Sequence, residues 1–416
     1  MKIIIHKGTN EIGGSCVEVS TDNSTILIDY GTPLRKDSLP VKINKPVDAI
    51  LISHPHQDHY GEILNFETET PVYCGALSLE LMNAAKLFSK GAPLANFFNI
   101  FKAWESFEIG DFRITPYLVD HSSPDAYAFL IEADDKKIFY SGDFQATGRK
   151  SKLFDKMLSD VNLKEVDVLL MEGTMLEGSN DKFPDEQSVE DKIFKTITEK
   201  NQATFMVSSA QNVDSIIAAY NACKKAGKIF VVDIYTAWIL KKMRMVNNHV
   251  PSMSWHDVKV IKSNGHGYVE SINKNLGYFT GFLAEAFHED NVIDTTRIRK
   301  KPSAYFLKVS PWYIKKFMKS INIKDATLIY SQWLGYLKEE YSKASTVKLY
   351  ESLKNRCDFV YAHTSGDADL EALQLFISAL KPTTLIPVHT EYKEDFKEHF
   401  DNVVVLEDGE LYEVNS

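Results

Sequence analysis

The chain has 416 residues, 44% hydrophobic and 25% charged, which is the profile of an average globular protein and the length of two domains rather than one. Its net charge of −10 argues against coating nucleic acid through bulk charge, while leaving room for a local basic groove. Cys16, Cys74, Cys223 and Cys357 are far apart with no CxxC pair, which argues against a disulfide framework or a thiolate zinc site and fits reduced thiols in a cytoplasmic protein.

In chain order, residues 1–6 read as a short strand without the long apolar region of a signal peptide. No apolar run reaches the roughly 18 residues of a membrane span, so no membrane partner is expected. Short apolar or alternating runs at 16–19, 25–28 and 49–52 predict strands, with a glycine-bearing turn at 9–14. Apolar residues at threes and fours predict a helix over 77–89, and strands resume at 112–119, 127–132 and 137–140, the last two joined at Asp134-Asp135. After the apolar run 168–171, the polar stretch 177–184 reads as a linker. Helices at 188–200, 212–226 and 236–246 then alternate with strands at 204–207 and 229–232, the pattern of a parallel-sheet α/β unit. A helix near 345, a strand at 359–361, a helix at 369–381 and a strand at 384–388 follow, and 403–414 is again strand-like, with a turn at Asp408-Gly409.

The chemistry concentrates just past the run 49–52, in His54-Pro-His56-Gln-Asp58-His59. Alternate residues of an extended segment point the same way, so two histidines can grip one ion. Neutral imidazoles with a carboxylate suit Zn²⁺. Three of the chain's 12 histidines beside an aspartate within six positions are hard to explain as a polar loop. Further ligands are expected where other apolar runs end, at His121, Asp143 and His389. Taken singly, Asp143 also reads as a turn aspartate and His389 as a cap.

HxHxDH, a distant His, Ser-Gly-Asp and a late His after an apolar run together resemble the metallo-β-lactamase superfamily. The resemblance implies a four-layer αββα fold with two zinc ions per chain. His54, His56 and His121 would hold one ion, Asp58, His59 and His389 the second, and Asp143 would bridge them. Asp29, in Leu-Ile-Asp-Tyr-Gly, resembles the superfamily's early aspartate that supports the metal loop. The α/β stretch from about 182 to 341 lies between Asp143 and His389, as in the β-CASP nucleases, which include ribonuclease J. The implied organisation is α/β, with a metallo-β-lactamase domain at 1–181 and 346–416 and an inserted β-CASP-like domain at 182–345. Ribonuclease J's C-terminal domain has no counterpart here. The match is strongest at both ends and weak between about 238 and 328.

Glu172 fits the family's acidic motif A, Ser208-Ser209 the insert's early strand-to-helix turn, and 362–366 with 387–391 the closing segments of ribonuclease J. Where the family carries a histidine after Ser-Gly, this chain has Asp367. Either His363 takes over, or the chemistry is altered, or Asp367 simply caps the helix 369–381. His389 in place of valine leans the substrate toward RNA rather than DNA. The expected function is therefore hydrolysis of RNA by a two-zinc-activated hydroxide in a cleft between the domains, in endonuclease or 5′-exonuclease mode. Single-stranded DNA is a possible partner, and a homo-oligomer a possible state. A small-molecule metallohydrolase acting on thioesters, lactones or lactams is the rival reading, and a non-catalytic RNA-binding scaffold a second. Ser208, Ser209, Ser365 and Gly366 could offer phosphate contacts at helix N-termini, or the serines could cap those helices. Lys224-Lys225, Lys241-Lys242 with Arg244, and Arg297, Arg299, Lys300 and Lys301 could line a polyanion groove or be solvated faces. Trp238, Trp312 and Trp333 could stack bases, with core packing the plainer role.

Overall fold

Strands with apolar residues at every second position must bury one face, and here the period places Ile3, Ile5, Val17, Val19, Ile26 and Ile28 against Ile114, Phe129, Ile131, Ile138 and Tyr140 in one shared core. The chain is described by a computed structural model covering residues 1–65, 69–89, 92–94, 97–180, 182–262, 267–317 and 326–414. Residue 181, within the expected linker, lies outside the described residues, as do parts of the weakly matched stretch 238–328. Two sheets form that core. The first has seven strands in the order Leu411–Glu413, Lys2–Lys7, Cys16–Ser20, Thr25–Ile28, Ala49–Leu51, Val72–Cys74 and Phe98–Ile100. The second has six, in the order Thr384–Val388, Val168–Glu172, Lys136–Tyr140, Ala126–Ala133, Phe112–Val119 and Phe107–Ile109.

The outer faces are apolar as well, so each is covered. Leu27, Ile50, Ile52 and Val72 of the first sheet pack with Leu79 and Met82 of the helix Ala76–Phe88. Phe139, Leu169 and Met171 of the second pack with Phe154 and Met157 of the helix Lys152–Leu158 and with Leu373, Phe376 and Leu380 of the helix Leu370–Leu380. This is the αββα layering expected of a metallo-β-lactamase fold. Within 403–414 only Leu411–Glu413 forms a strand, paired with Lys2–Lys7 after a turn at the positive-φ Gly409, while Val403 makes an isolated parallel bridge to Leu385.

Contacts divide the chain into two compact units, one of Met1–Met82, Leu94–Asn180 and Ser365–Ser416, the other of Asn83–Pro93 and Asp181–Thr364. The second unit is built on a seven-stranded sheet in the order Val292–Ile293, Val258–Ile261, Ile229–Val232, Tyr305–Lys308, Ala203–Ser208, Ala326–Ser331 and Asp358–Tyr361, with every pair parallel. Its helices Glu186–Glu199, Val213–Lys225 and Ile234–Met243 start at Asp185, Asn212 and Asp233, whose side chains accept the first-turn backbone N–H of Ser188, Ser215 and Thr236. The helix Ala344–Lys354 and strand Asp358–Tyr361, read from sequence with the returning segment, belong to this unit. The strand extends its sheet through Thr327↔Asp358 to Tyr330↔Tyr361, and Leu349 and Leu353 fill its core. Among the described residues no helix is long and apolar enough to cross a membrane.

Phe376 is fully buried among the rings of Phe139, Phe144 and Phe154. Phe376→Ala is expected to cost about 3–5 kcal/mol by urea unfolding. A loss below about 1 kcal/mol would show that this outer layer does not hold the sheet.

Candidate metal centre

The strands Lys136–Tyr140, Val168–Glu172 and Thr384–Val388 are parallel neighbours, so their C-terminal ends share one edge. Phe112–Val119 and Lys136–Tyr140 each run antiparallel to Ala126–Ala133, so Phe112–Val119 ends at that edge too. Topology alone therefore collects His121, Asp143, Glu172 and His389. The loop after Ala49–Leu51 adds His54, His56, Asp58 and His59.

Candidate ligand atoms fall into four overlapping groups: His54, His56 and His121; His54, His59 and Asp143; Asp58, His59 and His389; and His121, Asp143 and Asp367. Within each group they lie within 4.8 Å of one another. Asp143 Oδ2 is 3.7 Å from His54 Nε2, 3.1 Å from His59 Nε2 and 3.6 Å from His389 Nε2. Asp58 Oδ2 is 3.8 Å from His59 Nε2 and 3.9 Å from His389 Nε2. His56 Nδ1 stands 3.0 Å from His54 Nε2 and 3.3 Å from His121 Nε2. All the sequence-predicted ligands thus converge.

The rings are aimed by their far nitrogens. His59 Nδ1 donates to Asp29 Oδ2 at 2.8 Å, and His121 Nδ1 donates to the Gly366 carbonyl at 2.7 Å. Each hydrogen bond leaves the Nε2 lone pair facing the cluster, the arrangement a bound metal needs. His389 Nδ1 lies 2.6 Å from Ser15 Oγ. Asp29 has no exposed surface, and its carboxylate also accepts Ser53 N–H, Ser53 Oγ–H and the Tyr140 hydroxyl at 2.7, 2.7 and 2.8 Å. It holds the loop and is in none of the ligand groups found among the described residues. Gly31 explains how the loop lies so close: a Cβ there would sit 1.6 Å from the Asp58 carbonyl.

A cation fits this donor set on two observations. Among the described residues, His59 Nε2 and Asp143 Oδ1 are buried without a hydrogen-bond partner, which is costly unless something else satisfies them. The electrostatics agree. Burial, then neighbouring imidazoles, hold His54 well below the usual histidine range and His56 at about 3, so both rings are neutral donors. Burial also opposes charge on His59, but Asp143, Asp29 and Asp58 outweigh it and raise that ring. Burial works against ionised Asp143 too, yet His389 and His59 hold it well below the carboxylate range.

The remaining predicted residues divide. Glu172 is buried, and its two oxygens accept Thr174 N–H at 2.9 Å and Ala368 N–H at 3.1 Å, fixing two turns of the edge. Burial and then Asp367 raise its carboxyl well above the usual range. Asp367 is no helix cap: Asp369 caps Leu370–Leu380 through Ala372 N–H. Asp367 instead stands 3.7 Å from His121 Nδ1, accepts Ser365 Oγ–H, and is pushed up to about 7 by burial and then Asp143. Ser365 N–H is spent on Asn180 and the Gly366 carbonyl on His121. A side chain at Gly366 would strike Ser122.

His363, Ser208 and Ser209 lie in the second unit, and His363 is in none of the ligand groups. Burial lowers His363 to about 4. Neither serine caps the following helix, which Asn212 does; Ser209 Oγ accepts Gln211 N–H, and Ser208 Oγ is buried without a partner among the described residues. Of the basic clusters, Lys225 and Lys241 are paired with Glu190 and Glu285, and Arg244 donates to the Asn248 and Val250 carbonyls. Trp238 is core, whereas Trp312 and Trp333 are exposed. Sequence reading missed the positioning groups Ser15, Ser53, Tyr140 and Asn180, which carry no spacing signal.

Asp29→Asn keeps the shape but weakens its hold on His59. Chelator competition should show metal affinity about 10- to 100-fold lower; unchanged affinity would remove Asp29 from the support of the site.

A model described as Beta-lactamase superfamily domain matches residues 24–190. Ribonuclease J of Mycoplasma pneumoniae is 26% identical over 94% of this chain and 68% of its own length. A protein named probable RNase MJ4 from Methanocaldococcus jannaschii is 28% identical over 94% of this chain and 93% of its own. An RNase J-like protein of the same organism is 28% identical over 56% of this chain, and the match spans 57% of that relative. The solved structure of a protein of unknown function from Enterococcus faecalis V583 shares the fold, with a TM-score of 0.76 at 18% identity over 99% of both chains. With a donor cluster that fits divalent metal, the chain is similar to the β-lactamase superfamily domain over residues 24–190 and to ribonuclease J-like proteins over nearly its whole length.

Proposed function

We propose that this chain is a two-zinc ribonuclease that hydrolyses RNA phosphodiester bonds. The observation that carries the reading is the complete donor cluster around Asp143, on a chain whose similarity to proteins named ribonuclease J extends over 94% or more of its length. Imidazole with carboxylate donors suits zinc. His54, His56 and His121 would hold one ion, Asp58, His59 and His389 the other, and Asp143 would reach both. Bound zinc supplies Lewis acidity toward a phosphoryl oxygen and acidifies water at neutral pH. The second unit, with the strand Asp358–Tyr361 included, would be the β-CASP-like domain.

The chain's own residues divide the remaining work. Asp29, Ser15 and the Gly366 carbonyl orient His59, His389 and His121. Glu172 would be a positioning residue, because both its oxygens are committed to backbone N–H groups. Asp367 is partly exposed and reaches the cluster, so it is the side chain placed to meet the reacting group. Ser365 and Gly366 are committed to their own loop through Asp367, Asn180 and His121.

Zinc-loaded protein is expected to cleave 5′-labelled single-stranded RNA, and Asp58→Ala and His59→Ala to lower turnover by at least about 100-fold while thermal unfolding shows folded protein. Turnover of a thioester or lactone panel with no RNA cleavage would overturn the proposal, and faster cleavage of single-stranded DNA would reassign the substrate. Asp367→Asn should lower kcat by about 100-fold. Asp369→Ala should cost about 1 kcal/mol of stability with kcat unchanged. The reverse pattern would make Asp367 structural.

A further inference from the structure

The second unit exposes two tryptophans at comparable places in its sheet. Trp312 follows the strand Tyr305–Lys308 by four residues, in the first turn of the helix Pro311–Phe317. Trp333 follows the strand Ala326–Ser331 by two, at the start of the turn Leu334–Leu337. Both strands pair in parallel with Ala203–Ser208, one on each side, so both tryptophans sit at the same, C-terminal, edge. Their strands are two gaps apart, about 10 Å. The C-terminal edge of an open parallel sheet is where such folds bind ligands.

Large rings are normally buried, and Trp238 of this unit is only 3% exposed, yet Trp312 and Trp333 are 45% and 42% exposed. Trp333 is nonetheless held. Its six-membered ring lies over the α-carbon of Gly335, where a Cβ would come within 2.2 Å, and Tyr336 and Tyr341 meet it edge to face. One face is thus seated on glycine while the ring keeps nearly half its surface in solvent, which is preorganisation without core packing. A cation shares this edge: Lys315, exposed on the same helix, has its Nζ 5.3 Å from the Trp312 ring centroid.

We propose that this edge is a stacking platform on which Trp312 and Trp333 hold unpaired bases of a single-stranded RNA. The proposal rests on RNA being the substrate class. Aromatic faces take any base, and the exposed Lys315 suits a phosphate. A second copy of the chain is the less favoured occupant, since two apolar rings with a lysine beside one of them do not make a self-complementary apolar patch.

The test uses full-length chelator-treated protein, so that binding is read without cleavage, and a short fluorescein-labelled single-stranded RNA read by anisotropy. Trp312→Ala and Trp333→Ala should each raise Kd about tenfold, Trp312→Phe and Trp333→Phe should recover most of it, and duplex RNA affinity should stay within about twofold. Because the Trp333 ring packs on Gly335, far-UV circular dichroism and the Phe variant guard against misfolding. Unchanged single-strand affinity in both Ala variants, equal losses for duplex and single strands, or a change in mass by sedimentation would each overturn the platform. If the Ala variants bind weakly while zinc-loaded wild type cleaves no RNA, the platform stands and the ribonuclease reading falls. Cleavage with unaltered binding gives the converse.

Discussion

Asp29 stands at a φ of +60° with no exposed surface, and its carboxylate takes hydrogen bonds from Ser53, His59 and Tyr140. A buried carboxylate is tolerable only when several donors replace its water. Here the donors come from the loop after Ala49–Leu51 and from Lys136–Tyr140 of the facing sheet. The same group therefore ties the two sheets together at their ligand-bearing edge and sets the tautomer of His59. Gly31 follows two residues later because the chain must pass against the Asp58 carbonyl, and Ser15 N–H bonds to that carbonyl from the other side. Strain at one left-handed aspartate is offset by the pinning of the whole metal loop.

Once that loop is fixed, the rest of the cluster is a matter of strand direction. Three parallel strands and the co-directional Phe112–Val119 end together, so donors separated by hundreds of residues arrive at one place without any long loop. The concentration of imidazoles and carboxylates in a space that excludes water is unfavourable for bare side chains, and the orphaned His59 Nε2 and Asp143 Oδ1 record that cost. A divalent cation satisfies both signs of the problem, neutralising carboxylates and taking lone pairs from neutral rings.

Much of this was legible in the sequence because it is periodic or local. Apolar and alternating runs found most strands of both sheets, though not the three-residue strands Val72–Cys74, Phe98–Ile100 and Phe107–Ile109, too short to show a period, and the His54–His59 spacing found the loop. His121, Asp143 and His389 could be nominated because each follows an apolar run, and the folded edge brings them together. What could not be read was what depends on side-chain direction. Ser365, Ser208 and Ser209 look like helix caps by proximity, but Asp369 and Asn212 take that work. Trp312 and Trp333 fit core spacing as well as Trp238 does, and only the fold leaves them in solvent. The helix and strand within 344–361 read as the start of the return but join the second unit's sheet, since a parallel strand carries no mark in sequence of which sheet it joins.

The departure at position 367 gains its meaning from its surroundings. The backbone on either side is held by groups that have nothing to do with the identity of that residue: Asn180 takes Ser365 N–H, His121 takes the Gly366 carbonyl, Ser122 leaves no room for a side chain at 366, and Glu172 takes Ala368 N–H. A histidine or an aspartate at 367 would therefore be carried on the same scaffold and presented to the same cluster. Exchanging one for the other alters the charge and the donor chemistry at the tip without asking the fold to change. An aspartate placed there adds a carboxylate beside Asp143 and His121, where burial and that neighbour make ionisation harder. The difference between this chain and the family pattern is thus one of chemistry at a place fixed by its neighbours, and it falls on a residue that stands in a candidate ligand group with His121 and Asp143.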